Sequence, residues 1–335
     1  MTPRDLEGYD PVGRMRSRRP LLKRVLLAVG STALALVLME AAWRMLRTRG
    51  YGPTTNPHYV VHDELLGWRY LPGARARHAT DEFDVEVNIG TAGFRDESTP
   101  SDAPAPVLVL GDSFAFGWGV DVEAAFPAVL GERLGVDVWN RAVSGYGTDQ
   151  ELLLLRRSLA QPGPDSLRVV LVLWCGNDLE ESLRGVSYGR RKPRFERLED
   201  GPVLVGIPGP EAFLAAHSHL YRSLARLTAA EAAPLTAADV ARGRALVLAL
   251  FRAMAIEVDR HGAALVVVSE GEPWLIEGLA ALAGVHAIDV APELARCEHD
   301  EGPVRFARDG HWNERGHRVV AEAVARRLIE LDVLR

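Results

Sequence analysis

The 335-residue chain is 47% apolar and 25% charged, with a formal net charge of −6. That apolar content excludes a disordered chain, and the lack of a Gly-X-Y period or a long heptad run excludes collagen-like and coiled-coil architectures. The charge is unevenly spread: residues 1–50 carry ten Lys/Arg against four acids, a net of +6, which leaves −12 for the rest. An acidic body argues against a nucleic-acid partner, whose phosphates it would repel.

The first predicted element is a helix over residues 25–43, preceded by a basic tail over 1–24. Residues 25–39 carry no charge, and nineteen residues are just long enough to cross about 30 Å of hydrocarbon. Glu40 falls near the far end, where a carboxylate can reach the interface, and Trp43 is the kind of ring found there. Seven Lys/Arg precede the span and three follow it. This predicts a single-pass signal anchor with a cytoplasmic N-terminus and an extracytoplasmic body in the periplasm or at the cell surface. A cleaved signal peptide is the competing reading, although no clean small-x-small site follows; the Arg18-Arg19 pair also resembles a twin-arginine export signal.

Residues 44–57 read as a linker, with Gly50, Gly52, Pro53 and Pro57. Residues 58–104 read as a β extension, in which 83–89 alternates like a half-exposed strand. From 105 to 335 the pattern becomes strand and helix in turn. Strands are predicted at 107–110, 136–139, 167–174, 264–268 and 285–289, and helices around 124–134, 151–159, 235–260 and 314–334. Strands that are apolar throughout, alternating with helices, imply a mostly parallel sheet covered on both faces, a three-layer α/β/α domain with its chemistry at the C-terminal strand ends. Residues 180–234 interrupt this rhythm as an insertion. It has a hairpin over 193–208 and a helical spacing over 213–227, which serves as a surface element or as a wall over the strand ends.

Chemistry-bearing residues fall where such a sheet presents them. Gly111-Asp112-Ser113-Phe114 follows the first strand, and a Ser on a tight turn there is exposed at the sheet edge. A Ser hydroxyl needs a base to act as a nucleophile; alone, the segment reads equally as a helix N-cap. Asp309-Gly310-His311 precedes the last helix, where a His beside an Asp makes an oriented general base, or merely a polar loop. Gly145 follows the second strand and Asn177 the third. With the backbone N–H of Ser113 they are suitable donors to the oxyanion of an acyl transfer. Cys175 and Cys297 do not form a disulfide framework, and Cys175 reads as a small buried residue. No metal site or cofactor is expected: His217 and His219, two apart on a predicted helix, point to different sides. No dinucleotide fingerprint or Gly-x-Ser-x-Gly elbow is present.

Ser113, Gly145, Asn177 and His311, each in its local motif, resemble the four blocks of the SGNH (GDSL-like) hydrolases, over roughly residues 105–335. The β extension and the hairpin insertion resemble membrane-anchored bacterial members. The resemblance implies Ser113 as nucleophile, His311 as base, Asp309 as the carboxylate that orients it, and Ser113, Gly145 and Asn177 as the oxyanion hole. Asp112 and Asp178 would hydrogen-bond the turns. The sequence departs from the common Asp-x-x-His spacing, because position 308 is Arg308 and the acid stands two residues before His311. An ester is the implied substrate, an acylated glycan or a lipid among them, and the implied activity is a serine esterase. An O-acyltransferase acting on an envelope polysaccharide and a catalytically idle glycan-binding domain are the alternatives. Trp118 and 213–227 are candidate pocket walls.

Overall fold

The structure is a computed structural model that describes residues 19–48, 59–95, 107–160, 167–188, 190–198, 201–209, 218, 221 and 234–334. Two compact units are present, Met1–Tyr51 and Gly52–Arg335. In the first, α1 (Arg19–Thr48) is one unbroken helix that runs five residues into the expected linker. Its stretch Lys23–Ala42 has a mean hydropathy of 2.1 and is long and apolar enough to cross a membrane, and leucines and valines along it are exposed.

The second unit opens with two antiparallel hairpins. The first pairs β1 (Val60–Asp63) with β2 (Gly67–Tyr70), and the second pairs β3 (Arg75–Ala79) with β4 (Asp84–Asn88). They share one apolar core with the domain that follows: Tyr59, Leu66, Trp68, Tyr70 and Val87 are all buried in it. Arg95 fastens the extension down. Its buried guanidinium donates to the Val120 carbonyl at 2.6 Å, to Phe116 at 3.2 Å and to the Gly117 carbonyl.

The domain proper alternates strand and helix. It runs β5 (Val107–Leu110), α2 (Ser113–Phe116), α3 (Phe126–Leu134), β6 (Val138–Asn140), α4 (Thr148–Leu159), β7 (Val169–Trp174) and α5 (Asp178–Leu183). An inserted pair of short hairpins follows: β8 (Val186–Ser187) with β9 (Arg190–Arg191), and β10 (Arg194–Leu198) with β11 (Gly201–Gly206). The chain then returns to α6 (Ala237–Asp259), β12 (Ala264–Ser269), α7 (Pro273–Ala280), β13 (Val285–Asp289), α8 (Ala291–Glu301) and α9 (Glu314–Glu330). The predicted hairpin at 193–208 is present as β10–β11. The helical spacing at 213–227, with His217 and His219, lies outside the described residues apart from positions 218 and 221.

β13, β12, β7, β5 and β6 form one parallel sheet in that order. In chain order of its strands this is 2-1-3-4-5, the doubly wound arrangement whose switch point lies between the first and third strands, β5 and β7. β5 and β7 are buried at every position, because helices cover both faces and leave no polar side for a strand to turn outward. α3 and α9 pack together on one face, and α4, α5 and α6 on the other. The long α6 starts where Thr236 and Asp239 bond each other's backbone N–H in a capping box, at 3.2 and 3.0 Å,.

His317 shows how tightly α9 seats. It is fully buried and its Nδ1 accepts the Phe126 N–H at 3.2 Å. Burial, and then the charges of Arg95 and His311, press its pKa down to about 3. A histidine held neutral in the fold but free to protonate when unfolded contributes stability that is complete above pH 6.5 and is lost as pH falls from there toward 3. Each pH unit in that window costs about 1.4 kcal/mol at this residue. Urea midpoints at pH 7 and pH 5 are expected to show a shallower acid loss in His317→Gln than in the parent; equal slopes would refute the assignment.

Candidate active site

Gly111 ends β5 with φ of +151°, and a Cβ there would stand 2.7 Å from the Ala115 Cβ and 3.2 Å from the Leu173 carbonyl. Only a glycine lets the chain turn this sharply against β7. Asp112 then caps α2, its Oδ1 accepting the Phe114 N–H at 2.9 Å. The cap reading and the nucleophile reading are therefore compatible: the carboxylate next door does the capping and leaves the Ser113 hydroxyl available, half-buried at the strand end.

That hydroxyl meets His311, with Nε2 2.7 Å from Oγ. On the far side of the ring, Nδ1 bonds the Asp309 carboxylate. A carboxylate can only accept, so the proton between them sits on Nδ1, and Nε2 is left to accept the Ser113 proton. The short Asp-x-His spacing works because Asp309 and His311 flank Gly310, whose φ is +85°; the turn folds the carboxylate back onto the ring.

Neighbours hold this loop from three sides. Glu82, from the loop between β3 and β4, accepts the Asp309 N–H at 2.9 Å and the Arg308 N–H at 2.9 Å. Arg305 donates to the Gly310 carbonyl at 2.7 Å and also pairs with Glu270, which accepts the Trp312 indole N–H at 3.1 Å. The Phe114 and Trp118 rings lie 4.6 and 5.9 Å from the imidazole. Trp118 thus stands beside the base, with its other neighbour the buried His78 at 4.4 Å.

The remaining candidates come from the strands on either side of β5. Asn140 at the end of β6 donates to the Ala115 carbonyl at 2.9 Å and accepts the Ala142 N–H at 3.1 Å. Val143 N–H reaches the Gly111 carbonyl at 3.0 Å, so the loop carrying Gly145 is stitched to the Ser113 turn. From β7, the Asn177 amide donates to Asp112 Oδ2 at 3.1 Å. Asp178 accepts the Cys175 N–H at 2.7 Å and closes the turn. Ser113 and the segments that carry Gly145, Asn177, Asp309 and His311 are thereby joined by direct hydrogen bonds. Cys175 and Cys297 are both buried free thiols. Among the described residues no group of three or more His, Cys, Asp and Glu is placed to hold a metal ion.

No local pattern in the chain signals what supports the Gly145 loop. Tyr70 Oη accepts the Ser144 N–H at 2.7 Å and donates to Ser144 Oγ at 2.9 Å, and the Trp68 indole N–H reaches the Ser144 carbonyl at 3.2 Å. The extension therefore props the Gly145 loop from outside the sheet. Losing one such bond costs about 1 kcal/mol, and more where a buried donor is stranded. Tyr70→Phe is expected to lower the urea midpoint accordingly and to cut kcat several-fold with KM little changed; a stability loss with no change in kcat would mean that the prop does not reach the site.

Acids also lie behind the donors. Burial, and next the charge of Asp112, holds the Glu151 carboxyl well above the carboxylate range, and burial followed by Glu151 does the same for Asp178. Burial likewise raises Asp112. Glu151 and Asp178, shifted toward their neutral forms, add less negative charge beside the charged Asp112 than ionised carboxylates would.

The sequence profile of the GDSL-like lipase/acylhydrolase family matches residues 109–319, which spans the segments that carry Ser113, Gly145, Asn177, Asp309 and His311 but not the β extension. The chain belongs to this family. Among solved structures, it is similar to a member of the lipolytic G-D-S-L family from Veillonella parvula, with 14% identity over 66% of this chain and 97% of that one, at a TM-score of 0.41. It is also similar to the psychrotrophic esterase EstA from Pseudoalteromonas sp. (11% identity, 68% and 97% coverage, TM-score 0.41). A third is a carbohydrate esterase family 2 enzyme from Corynascus thermopiles (15%, 74% and 73%, 0.40). No curated protein matches the chain. The chain thus carries the SGNH-type α/β fold of a lipase/acylhydrolase family, with a central parallel sheet, and one apolar N-terminal helix.

Proposed function

We propose that this chain is a membrane-anchored, extracytoplasmic serine esterase that works through an acyl-enzyme. The observation that carries the chemistry is the relay from Ser113 Oγ to His311 Nε2 and from His311 Nδ1 to Asp309. His311 takes the Ser113 proton as Oγ attacks the ester carbonyl carbon. The tetrahedral oxyanion is received by the N–H groups of Ser113 and Gly145 and by the Asn177 amide. His311 then passes its proton to the departing alcohol. Water, deprotonated by the same imidazole, attacks the Ser113 ester and releases the acid, and the proton returns to Oγ.

The anchoring half of the proposal rests on the apolar stretch Lys23–Ala42 and on the basic residues before it. In this arrangement residues 1–24 form the cytoplasmic tail, 25–43 the span, 44–57 a tether, 58–104 the extension and 105–335 the hydrolase domain. The test is a fluorophosphonate probe applied to the full chain in detergent. Covalent labelling mapped to Ser113, with turnover of p-nitrophenyl acetate, is the expected result; an unlabelled Ser113 in folded protein refutes the esterase. Acetyl transfer to an added glycan that outpaces hydrolysis would assign the acyl-enzyme to a sugar hydroxyl instead of water.

A further inference from the structure

We propose that Tyr188 is the wall of the acyl side of the site and restricts the acid part of the substrate to short groups such as acetyl. This deepens the esterase reading and rests on it. Tyr188 stands between β8 and β9 with φ of +50°, a left-handed conformation that a bulky L residue rarely adopts,. The residue is 67% exposed, so burial of apolar surface does not explain why the hairpin holds it there. The positive φ is the one a two-residue hairpin loop favours at its first position; what calls for a role is that the loop gives this position to a large, open aromatic ring.

The ring has a defined neighbour. A Cβ built on Gly145 would stand 2.6 Å from Tyr188 Cε2 and 2.8 Å from Cδ2, so the ring edge rests directly over the Gly145 backbone. Its hydroxyl bonds the Glu181 carboxyl on α5, the helix that begins immediately after Asn177. The ring is thus pinned beside both segments that carry the expected oxyanion donors of the neighbouring strands. Any side chain at position 145 would displace it.

The two faces of the sheet then divide the substrate. His311 leads into α9, which packs with α3 on one face; α5, which holds Glu181, packs with α4 and α6 on the other. The departing alcohol must take its proton from His311 Nε2, so it lies on the α3/α9 side, beside Phe114 and Trp118,. With the oxyanion on its donors, the remaining substituent of the tetrahedral carbon is the acyl chain. It is directed away from the imidazole, toward the face where Tyr188 stands. A ring standing against the donor loop on that side would obstruct a long acyl chain more than a short one.

The test compares kcat/KM for p-nitrophenyl acetate, butyrate and octanoate with the full chain in one detergent. The parent is expected to lose more than tenfold from acetate to octanoate. Tyr188→Ala should raise the octanoate-to-acetate ratio at least tenfold, Tyr188→Phe, which keeps the ring but loses the Glu181 bond, should raise it by less than Tyr188→Ala does, and Tyr188→Trp should lower it. A parent that labels at Ser113 yet shows a flat chain-length profile overturns the wall while leaving the esterase intact. So does a folded Tyr188→Ala or Tyr188→Trp with the parental ratio. Failure of Ser113 to label overturns the esterase and the wall with it.

Discussion

Ser113→Ala is expected to lower kcat/KM for p-nitrophenyl acetate by about 10⁴-fold or more, with KM little changed, because the hydroxyl acts only once the transition state forms. The substitution removes Oγ from its 2.7 Å contact with His311 and nothing else. The cap of α2 is made by Asp112, so circular dichroism and the melting temperature should match the parent. His311→Ala should cost about as much. The double variant should be no worse than either single one, because nucleophile and base act as one unit. Asp309→Asn should cost on the order of 10⁴-fold: the amide can present N–H instead of an acceptor to Nδ1, which turns the imidazole toward the wrong tautomer. Additive losses across Ser113 and His311, or an Asp309→Asn variant at the parental rate, would break the relay apart.

The parts of this site that could be read from the sequence are the ones whose signal is local. β5 and β7 are continuous apolar runs, and a run of that kind has one comfortable place, inside a covered parallel sheet. Ser113, Gly145, Asn177 and the Asp309–His311 pair each sit just past such a run or just before the closing helix. Their position along the chain already implied their position in space. The supports have no such signal. Tyr70 bonds Ser144 across 74 residues, and Glu82 bonds Asp309 across 227; only the folded chain brings them together. The short helices α7 and α8 were missed for a different reason. Each buries just two residues, Leu275 and Leu279 in one and Leu294 and Cys297 in the other, too few to print a 3.6-residue period. The start of α4 runs against pattern reading altogether: Thr148, Asp149, Gln150 and Glu151 are all fully buried, where a polar turn would ordinarily be assigned to solvent.

That buried turn sets up the largest expected loss of stability. Lys192, just beyond β9, sends its Nζ to Asp149 Oδ1 at 2.7 Å, to Oδ2 at 2.6 Å and to the Glu181 carbonyl at 2.8 Å. Both side chains are 0% exposed. The ammonium therefore ties the inserted hairpin to α4 and α5 at once, and it does so among the carboxyls of Glu151, Asp178 and Glu181. Lys192→Met keeps the length and apolar bulk of the stem but strands the Asp149 carboxylate, and removing one partner of a buried pair costs about 3–5 kcal/mol. Asp149→Leu combined with Lys192→Met removes both charges, and a pair replaced by apolar groups of similar size is often tolerated. The double variant should accordingly unfold at a higher urea concentration than Lys192→Met alone. The inequality is the informative result, because simple loss of contacts would make the double variant the weaker one. Because Lys192 follows directly on the strand that returns from Tyr188, loosening this clamp should also release the ring. Lys192→Met protein that remains folded at low temperature should show a raised octanoate-to-acetate ratio. A Lys192→Met cost below about 1 kcal/mol would mean that Asp149 is neutral in the fold and that the hairpin is held by its apolar contacts alone.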